Sequence, residues 1–245
     1  MEWASCYLPD HDEDAHFGHD EAGVLGVADG VGGYRDRGVD AAAFSRGLMT
    51  CAFMHVLAIE PGNPVCPYTL LERAYDETVA SAASGGSTAV ILSLAGTALK
   101  WAYIGDSAFA VLRGGKIVHR SRAQQSYFNR PFQLSARGNG NSLTKADVGE
   151  MPVRDGDVVV VGTDGLFDNV FDAELERVVR MGTAQGYSPK NMADVVAGIA
   201  YEMSRSQTKD SPFSTESQKQ AAGDHFHGGK PDDITVVVAF IRDLS

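Results

Sequence analysis

Acidic residues recur in this chain where apolar, β-branched runs end or begin. Val24-Leu-Gly-Val-Ala28 runs into Asp29-Gly30, Ala102-Tyr-Ile-Gly105 into Asp106-Ser107, and Val158-Val-Val-Val-Gly-Thr163 into Asp164-Gly165. In the opposite sense, Asp232-Asp233 immediately precede Ile234–Ile241, and Glu13-Asp14 precede Ala15-His16-Phe17. A carboxylate at a strand end is held by rigid backbone yet faces the sheet edge, where solvent and ions reach it. Several such edges side by side would converge negative charge, which is destabilising until a cation neutralises it. One Asp-Gly alone is a turn signal, because Gly supplies positive φ and Asp tolerates it. The set together points to a metal site. Oxygen-only ligands select hard cations, so Mg²⁺ or Mn²⁺ is expected over Zn²⁺. A carboxylate bridging two such ions suits two-metal hydrolysis. His11, His16 and His19 lie near the start without an HxxxH helix, and read as surface or turn histidines.

The elements that must position these acids follow from apolar periodicity. Strands are expected at Gly23–Ala28, Thr88–Leu94, Leu99–Ile104, Phe109–Leu112, Val158–Val161 and Ile234–Ile241. Gly114-Gly115 marks a hairpin, and the tight succession from Thr88 to His119 predicts an antiparallel meander. Val39–Leu57 carries Phe44, Leu48, Ala52 and Val56 on one helical stripe, with Met49, Phe53 and Leu57 beside it. Thr69-Leu-Leu-Glu72 reads as a capping box opening a second helix through about Ala83. Asp172 is expected to cap a third, and Ser188-Pro189 a fourth. Helices on the outer faces of antiparallel sheets would bury all these stripes. The polar segment Ser204–Lys230 reads as a linker or a mobile flap within one domain spanning 1–245.

Bulk composition narrows the partners. With 245 residues, 44% of them hydrophobic, the chain can bury a core without staples. Its formal net charge of −11 argues against nucleic acid or an anionic membrane surface. No apolar run approaches the roughly 20 residues of a membrane span. The odd trio Cys6, Cys51 and Cys66 fits no disulfide framework and reads as reduced, buried small hydrophobes in an intracellular protein. Met1-Glu2-Trp3 opens neither a signal nor a transit sequence, although a processed chain could begin at such a boundary. A D-x-D nucleophile pair, a G-x-G-x-x-G fingerprint and a P-loop Lys are all missing from the candidate motifs.

Read in order, the motifs resemble one family. Glu13-Asp14-Ala-His-Phe, Gly26-Val-Ala-Asp29-Gly30-Val-Gly-Gly33, Gly85-Gly-Ser-Thr88-Ala-Val90 and Ile104-Gly-Asp106-Ser107 come first. Gly162-Thr-Asp164-Gly-Leu-Phe-Asp168-Asn169 and Gly229-Lys-Pro-Asp232-Asp233-Ile-Thr-Val236 follow. The ordered set is similar to the metal-dependent protein phosphatases, protein phosphatase 2C. Gln125-Ser-Tyr-Phe-Asn129 with Pro131-Phe-Gln-Leu134 further resembles the branch found in mitochondria and plant plastids. The resemblance implies an α+β fold, a four-layer α-β-β-α sandwich of two antiparallel sheets flanked by helices. It implies a phosphoserine/phosphothreonine phosphatase using a metal-activated water at a binuclear Mg²⁺ or Mn²⁺ centre. Asp29 would bridge both ions and the Gly30 carbonyl would bind one; Asp164 and Asp232 would complete the other's protein ligands. Asp233, where the family commonly has Asn, ranks second. Glu13 and Asp14 would hold metal-bound waters, and Asp106 a weaker third ion.

This sequence also departs from the family. The Arg that many members place four residues before the Glu-Asp pair, to grip phosphate, is Pro9 here. The frequent His after the first Asp-Gly is Val31, and the Arg after the Gly-Asp-Ser motif is Ala108. Arg35 and Arg37 are candidate substitutes for the phosphate grip, with exposed loop charges as their other reading. The missing groups leave a second reading open, a pseudophosphatase that binds a phosphoprotein or regulator. The expected partner is a phosphorylated protein substrate of a monomeric enzyme that does not insert into membranes, with selectivity in loops such as Arg137–Asp147 and Ser206–Lys230. Expected placements are chloroplast or mitochondrion for a processed form, cytoplasm or nucleus otherwise.

Overall fold

Val158–Gly162 and Ile234–Phe240 are buried along their whole length, and this is why they lie at the centre of a sheet. The computed structural model describes residues 1–60, 62–81, 83–136, 140–220 and 225–242. Residues 137–139 and 221–224 of the two loops expected to set selectivity lie outside the described residues. One five-stranded sheet runs in the order Glu2–Leu8, Ile234–Phe240, Val158–Gly162, Ala108–Arg113, Lys116–Arg120. The other runs Asp147–Pro152, Ala98–Ile104, Ala89–Ala95, Val24–Asp29, Asp14–His19, and all pairings within both are antiparallel.

Period-two alternation sorts the strand side chains into layers. Val158, Val160, Val236 and Val238 pack against Leu175, Val179, Met192 and Val196 of the helices Asp172–Ala184 and Pro189–Ser204. Their neighbours Val159, Val161, Val237 and Ala239 face the other way and meet Leu25, Val27, Val90 and Leu92 of the second sheet. Ala28, Ala89, Ile91 and Ile104 on that sheet's outer face pack under Phe44, Leu48 and Leu71 of the helices Ala41–Leu57 and Pro67–Ala80. Three apolar layers thus separate helix, sheet, sheet and helix: the expected α-β-β-α sandwich. Each fully buried Val or Leu contributes roughly 1.5–3 kcal/mol of burial.

Several local expectations need correction. The run Thr88–His119 is not one meander. Ala89–Ala95 with Ala98–Ile104, and Ala108–Arg113 with Lys116–Arg120, are hairpins of different sheets. The chain crosses between them at Gly105, whose φ of 104° suits glycine alone, so Asp106 falls at the crossing. Thr69 does not cap the second helix. Cys66 is the N-cap in extended backbone, and Pro67, with φ pre-set, starts the helix. Cys66 is consequently exposed and Cys6 and Cys51 half-buried, so the three are not core residues, although all are free thiols. Asp172 is the first helical residue after the N-cap Phe171, where its charge favours the helix dipole. Ser188 does cap as expected, accepting from the Asn191 N–H at 3.2 Å. His16 and His19 lie on the strand Asp14–His19 rather than in a turn, and His16 bonds Ser5. Edge strands Glu2–Leu8 and Asp147–Pro152 escape the apolar pattern because each is buried on one face at most. Within Ser204–Lys230 a short helix, Pro212–Ser217, buries Phe213, Ser214 and Ser217. Among the described residues no helix is long and apolar enough to cross a membrane.

Candidate metal centre

Asp14 and Asp29 are direct partners in the antiparallel register of their strands, which fixes two carboxylates at one sheet edge. Asp29 is held by its backbone. Its N–H donates to Thr88 Oγ1 at 3.1 Å, and its carbonyl accepts from the Thr88 N–H at 2.9 Å and from Ser87 Oγ at 2.8 Å. Gly30 follows in a crevice: a Cβ there would lie 2.3 Å from the Ala41 carbonyl oxygen. Only glycine lets the chain turn so tightly beneath the acid. Gly165 obeys the same constraint, since its Cβ would fall 2.0 Å from the Asp233 carbonyl oxygen. The two Asp-Gly pairs are therefore close-packing devices as well as carriers of charge.

From the first sheet come Asp164, just past Val158–Gly162, and Asp232, just before Ile234–Phe240. Asp29, Gly30, Asp164 and Asp232 line one cleft of about 330 Å³, together with Glu13 and Arg35. Asp14 Oδ2 accepts from Thr163 Oγ1 at 2.8 Å and Thr235 Oγ1 at 2.7 Å, while its Oδ1 is buried with no partner. Asp106 Oδ2 accepts from Gln125 Nε2 at 2.9 Å, and its Oδ1 is likewise orphaned. Asp164 Oδ1 is orphaned too. A buried carboxylate oxygen without a partner is costly, and three in one region make a demand for cations that the protein alone leaves unmet.

Burial, followed by the charges of Asp164, Asp14, Asp232 and Asp106, lifts the Asp29 carboxyl well above the usual range. Burial likewise raises Asp14 strongly. Asp106 is pushed up to about 8 by burial and then by Asp164 and Asp168. Asp232 rises to about 7 by burial and then by Asp164. Asp164 runs the other way: burial opposes its charge, but the Lys230 ammonium beside it carries it below the usual range. Lys230 also contacts Asp168 at 2.8 Å and Asp232 at 3.2 Å.

Asp233 does not join the cleft. Its Oδ1 accepts the N–H groups of Asp10, His11 and Asp12 at 2.5, 2.8 and 2.9 Å, and its Oδ2 that of Glu13 at 2.6 Å. Those successive N–H groups, with Asp12 at a φ of 63°, form a nest around the carboxylate. Burial opposes its charge, yet these backbone donors hold it below the usual range. Of the two loop arginines, Arg35 reaches the cleft, its Nε 3.0 Å from Glu13 Oε1. Arg37 lies outside it, exposed and over the Tyr34 ring at 5.8 Å. His11 lines the cleft but joins no ligand set of His, Cys, Asp or Glu.

Three residues not given a role from sequence complete the site: Asp168, Asn169 and Lys230. The Asp164-to-Asp168 spacing on one helical turn was the available signal for the first. Among the described residues no three His, Cys, Asp or Glu side chains form a ready ligand set.

No family model matches the chain. Individual relatives do. A rice protein, "Putative protein phosphatase 2C 23" (Oryza sativa subsp. japonica), is 67% identical over 245 residues, covering 98% of this chain and 75% of its own. The human "Protein phosphatase PTC7 homolog" is 39% identical, covering 93% of this chain and 78% of its own. Among solved structures, "X-ray structure of the photosystem II phosphatase PBCP" superposes with a TM-score of 0.87 at 32% identity, over 98% of each chain. The catalytic domain of PstP, solved with two manganese ions, shares the fold with a TM-score of 0.69 at 20% identity, over 99% of this chain and 98% of that one. This chain belongs to the protein phosphatase 2C family.

Proposed function

We propose that the chain removes phosphate from phosphoserine and phosphothreonine in proteins, using two Mg²⁺ or Mn²⁺ ions held at the Asp29–Asp164–Asp232 edge. The observation that carries this reading is the trio of buried, partnerless carboxylate oxygens on Asp14, Asp106 and Asp164. When bound, the ions supply Lewis acidity and make a water acidic enough to attack phosphorus near neutral pH. Asp29 and the Gly30 carbonyl, which line the cleft, would hold the ions from one sheet. Asp164 and Asp232 line the same cleft from the opposite sheet and would hold the ions from that side.

Glu13 and Asp14 would orient solvent at bound ions. The Asp14 side chain is held for this by two threonine hydroxyls, and Glu13 by Arg35. Arg35 is the one of the two loop arginines that lines the acidic cleft, so it takes the phosphate grip that Pro9 leaves vacant. Asp233 anchors the Asp10–Glu13 loop, and so acts on the site through Glu13. The experiment is dephosphorylation of a phosphothreonine peptide by chelator-stripped protein, before and after adding Mn²⁺. Turnover should vanish on stripping and return with the metal. Full turnover in chelator, or a phosphorylated protein trapped during the reaction, would reject the reading.

A further inference from the structure

A second hollow, of about 480 Å³, opens beside the acidic cleft, and Val31, Gly33, Asn129 and Pro131 line both, so the two share a rim. The rest of its wall is Tyr34, Arg37, Arg130 and Gln133, and no Asp or Glu lines it. Its two arginines come from separate elements. Arg37 ends the 3-10 helix Gly32–Arg37, with its guanidinium 5.8 Å from the centre of the Tyr34 ring. Three residues make one turn of such a helix, so Arg35 and Arg37 point to different sides. The first lines the cleft and the second the hollow. Arg130 opens the return strand of the hairpin formed by Gln125–Tyr127 and Arg130–Pro131. Its Nη1 donates to Tyr127 Oη at 2.8 Å, and its guanidinium lies 5.1 Å from the centre of that ring. Asn129 turns the hairpin at a φ of 57°, which Asn tolerates, and the neighbouring Phe128 ring packs 4.9 Å from that of Phe213. Arg130 is therefore presented on an anchored arm.

In a chain with a formal net charge of −11, arginines readily find carboxylates. Arg46, Arg113, Arg205 and Arg242 each have one at 2.6–2.7 Å. Among the described residues no carboxylate pairs with Arg37 or Arg130. Each guanidinium has five N–H donors in a planar fork, and these two are exposed and held against tyrosine rings. Arg and Tyr are also the residue types enriched in binding hot spots. A lone phosphoester needs only the cleft, whereas a peptide that bears one must continue past its rim. We infer that the hollow receives the residues beside the phosphorylated one, and that Arg37 and Arg130 select substrates with an anionic side chain there: Asp, Glu or a second phosphorylated residue. The inference rests on the phosphatase reading above and adds the substrate class to it. A chain of this charge otherwise repels an acidic segment, so the two arginines decide whether such a substrate docks.

The test compares Michaelis constants of the Mn²⁺-loaded full chain for phosphothreonine peptides that differ only in their flanks. The flanks are alanines, glutamates before or after the phosphothreonine, a non-hydrolysable phosphonate residue in either place, or lysines. For wild type an anionic flank on at least one side should lower the constant about tenfold relative to alanines, the worth of one charge-assisted contact. The gap should shrink in high salt. A lower constant with glutamate, with phosphonate or with both supports the inference and names the anion. Each variant is read as the ratio of its own constants, so a change common to all peptides cancels. Arg37→Ala combined with Arg130→Ala should bring the ratio to about one. Arg37→Glu combined with Arg130→Glu should reverse it in favour of lysine flanks, which a merely structural role would not do. Should the double variants not fold, Arg130→Gln alone decides, and its ratio should fall. Equal constants for all flanks in wild type, or an anionic preference undiminished in these variants, would overturn the inference. No turnover of any peptide by wild type would instead overturn the phosphatase reading beneath it.

Discussion

Asp232 and Asp233 are adjacent, both buried or nearly so, and have opposite environments. Asp233 sits on the loop side of the site, with both oxygens satisfied by backbone N–H groups of the Asp10–Glu13 turn. Asp232 faces the cleft with Asp29 and Asp164, where burial and repulsion push it up to about 7. Neighbouring residues in extended backbone point to opposite sides, so one Asp-Asp pair serves two regions. The loop side uses a carboxylate as structure, neutralised by fixed dipoles. The cleft side keeps carboxylates under-neutralised, and that unmet charge is what a divalent cation would satisfy. An acidic cluster is therefore not one feature: the Asp233 carboxylate is closed by backbone donors, while that of Asp232 opens on the cleft.

The sharpest way to break this comparison is to neutralise one acid on each side. Asp29→Asn removes the central cleft charge. If metal electrostatics supply about 4 kcal/mol of transition-state stabilisation, turnover of an aryl phosphate should fall about 10³-fold. Metal-free Asp29→Asn should melt no lower than metal-free wild type, since it relieves repulsion. Near-normal turnover would put the ions elsewhere. Asp233→Ala should behave oppositely, through stability. Losing charge-assisted bonds to a loop that then has unpaired N–H groups should cost about 3 kcal/mol. Calorimetry should read that as a fall of roughly 6–12 °C in melting temperature. An unchanged melting temperature would contradict its role as an anchor.

Acidity offers a third probe. Asp29, Asp14, Asp106, Asp168 and Asp232 all have raised folded-state pKa values, about 8 for Asp106, about 7 for Asp232 and about 6 for Asp168. Between the ordinary carboxylate pKa and those values the folded state holds more protons than the unfolded one. Stability of the metal-free protein must therefore fall as pH rises from about 4 to about 8. The depressed Asp233 contributes in the opposite sense, its stabilisation being lost only as pH drops below about 4. Melting curves of stripped protein at pH 5, 6.5 and 8 should descend in that order, and Mn²⁺ should flatten the series. A rising series without metal would show the cleft acids to be already neutralised. The smallest effects concern the loop arginines. Arg35→Ala should raise the Michaelis constant for a small phosphoester about tenfold, the loss of one charge-assisted contact. Arg37→Ala should change it less than about twofold, as expected of an exposed charge. Equal effects from both would erase the distinction drawn between them.

The parts of this molecule legible in sequence are those whose signal is local. Val158–Val161 and Ile234–Ile241 announce buried central strands by unbroken β-branched runs, and the acids at their ends follow from position. Edge strands such as Asp147–Pro152 do not, because one-sided burial leaves Asp, Gly, Glu and Pro in place. The cleft acids were also readable, being attached to those runs. What could not be read was pairing at a distance. Lys230 in Gly-Gly-Lys-Pro looks like a loop charge until folding carries it back across 66 residues to Asp164. Asn169 looks like a turn residue until it clamps a backbone 61 residues away. The split between Asp232 and Asp233 could have been anticipated from alternation, but which of them faces the ions required the loop that wraps Asp233.

The most direct test of the account pairs Mn²⁺ binding with turnover in Asp29→Asn and Asp233→Ala, measured side by side on stripped, folded protein. The account predicts that Asp29→Asn loses both Mn²⁺ binding and phosphopeptide hydrolysis while remaining folded. Asp233→Ala should keep Mn²⁺ binding but melt earlier. Undiminished Mn²⁺ binding and hydrolysis in Asp29→Asn, with both lost in a folded Asp233→Ala, would contradict it.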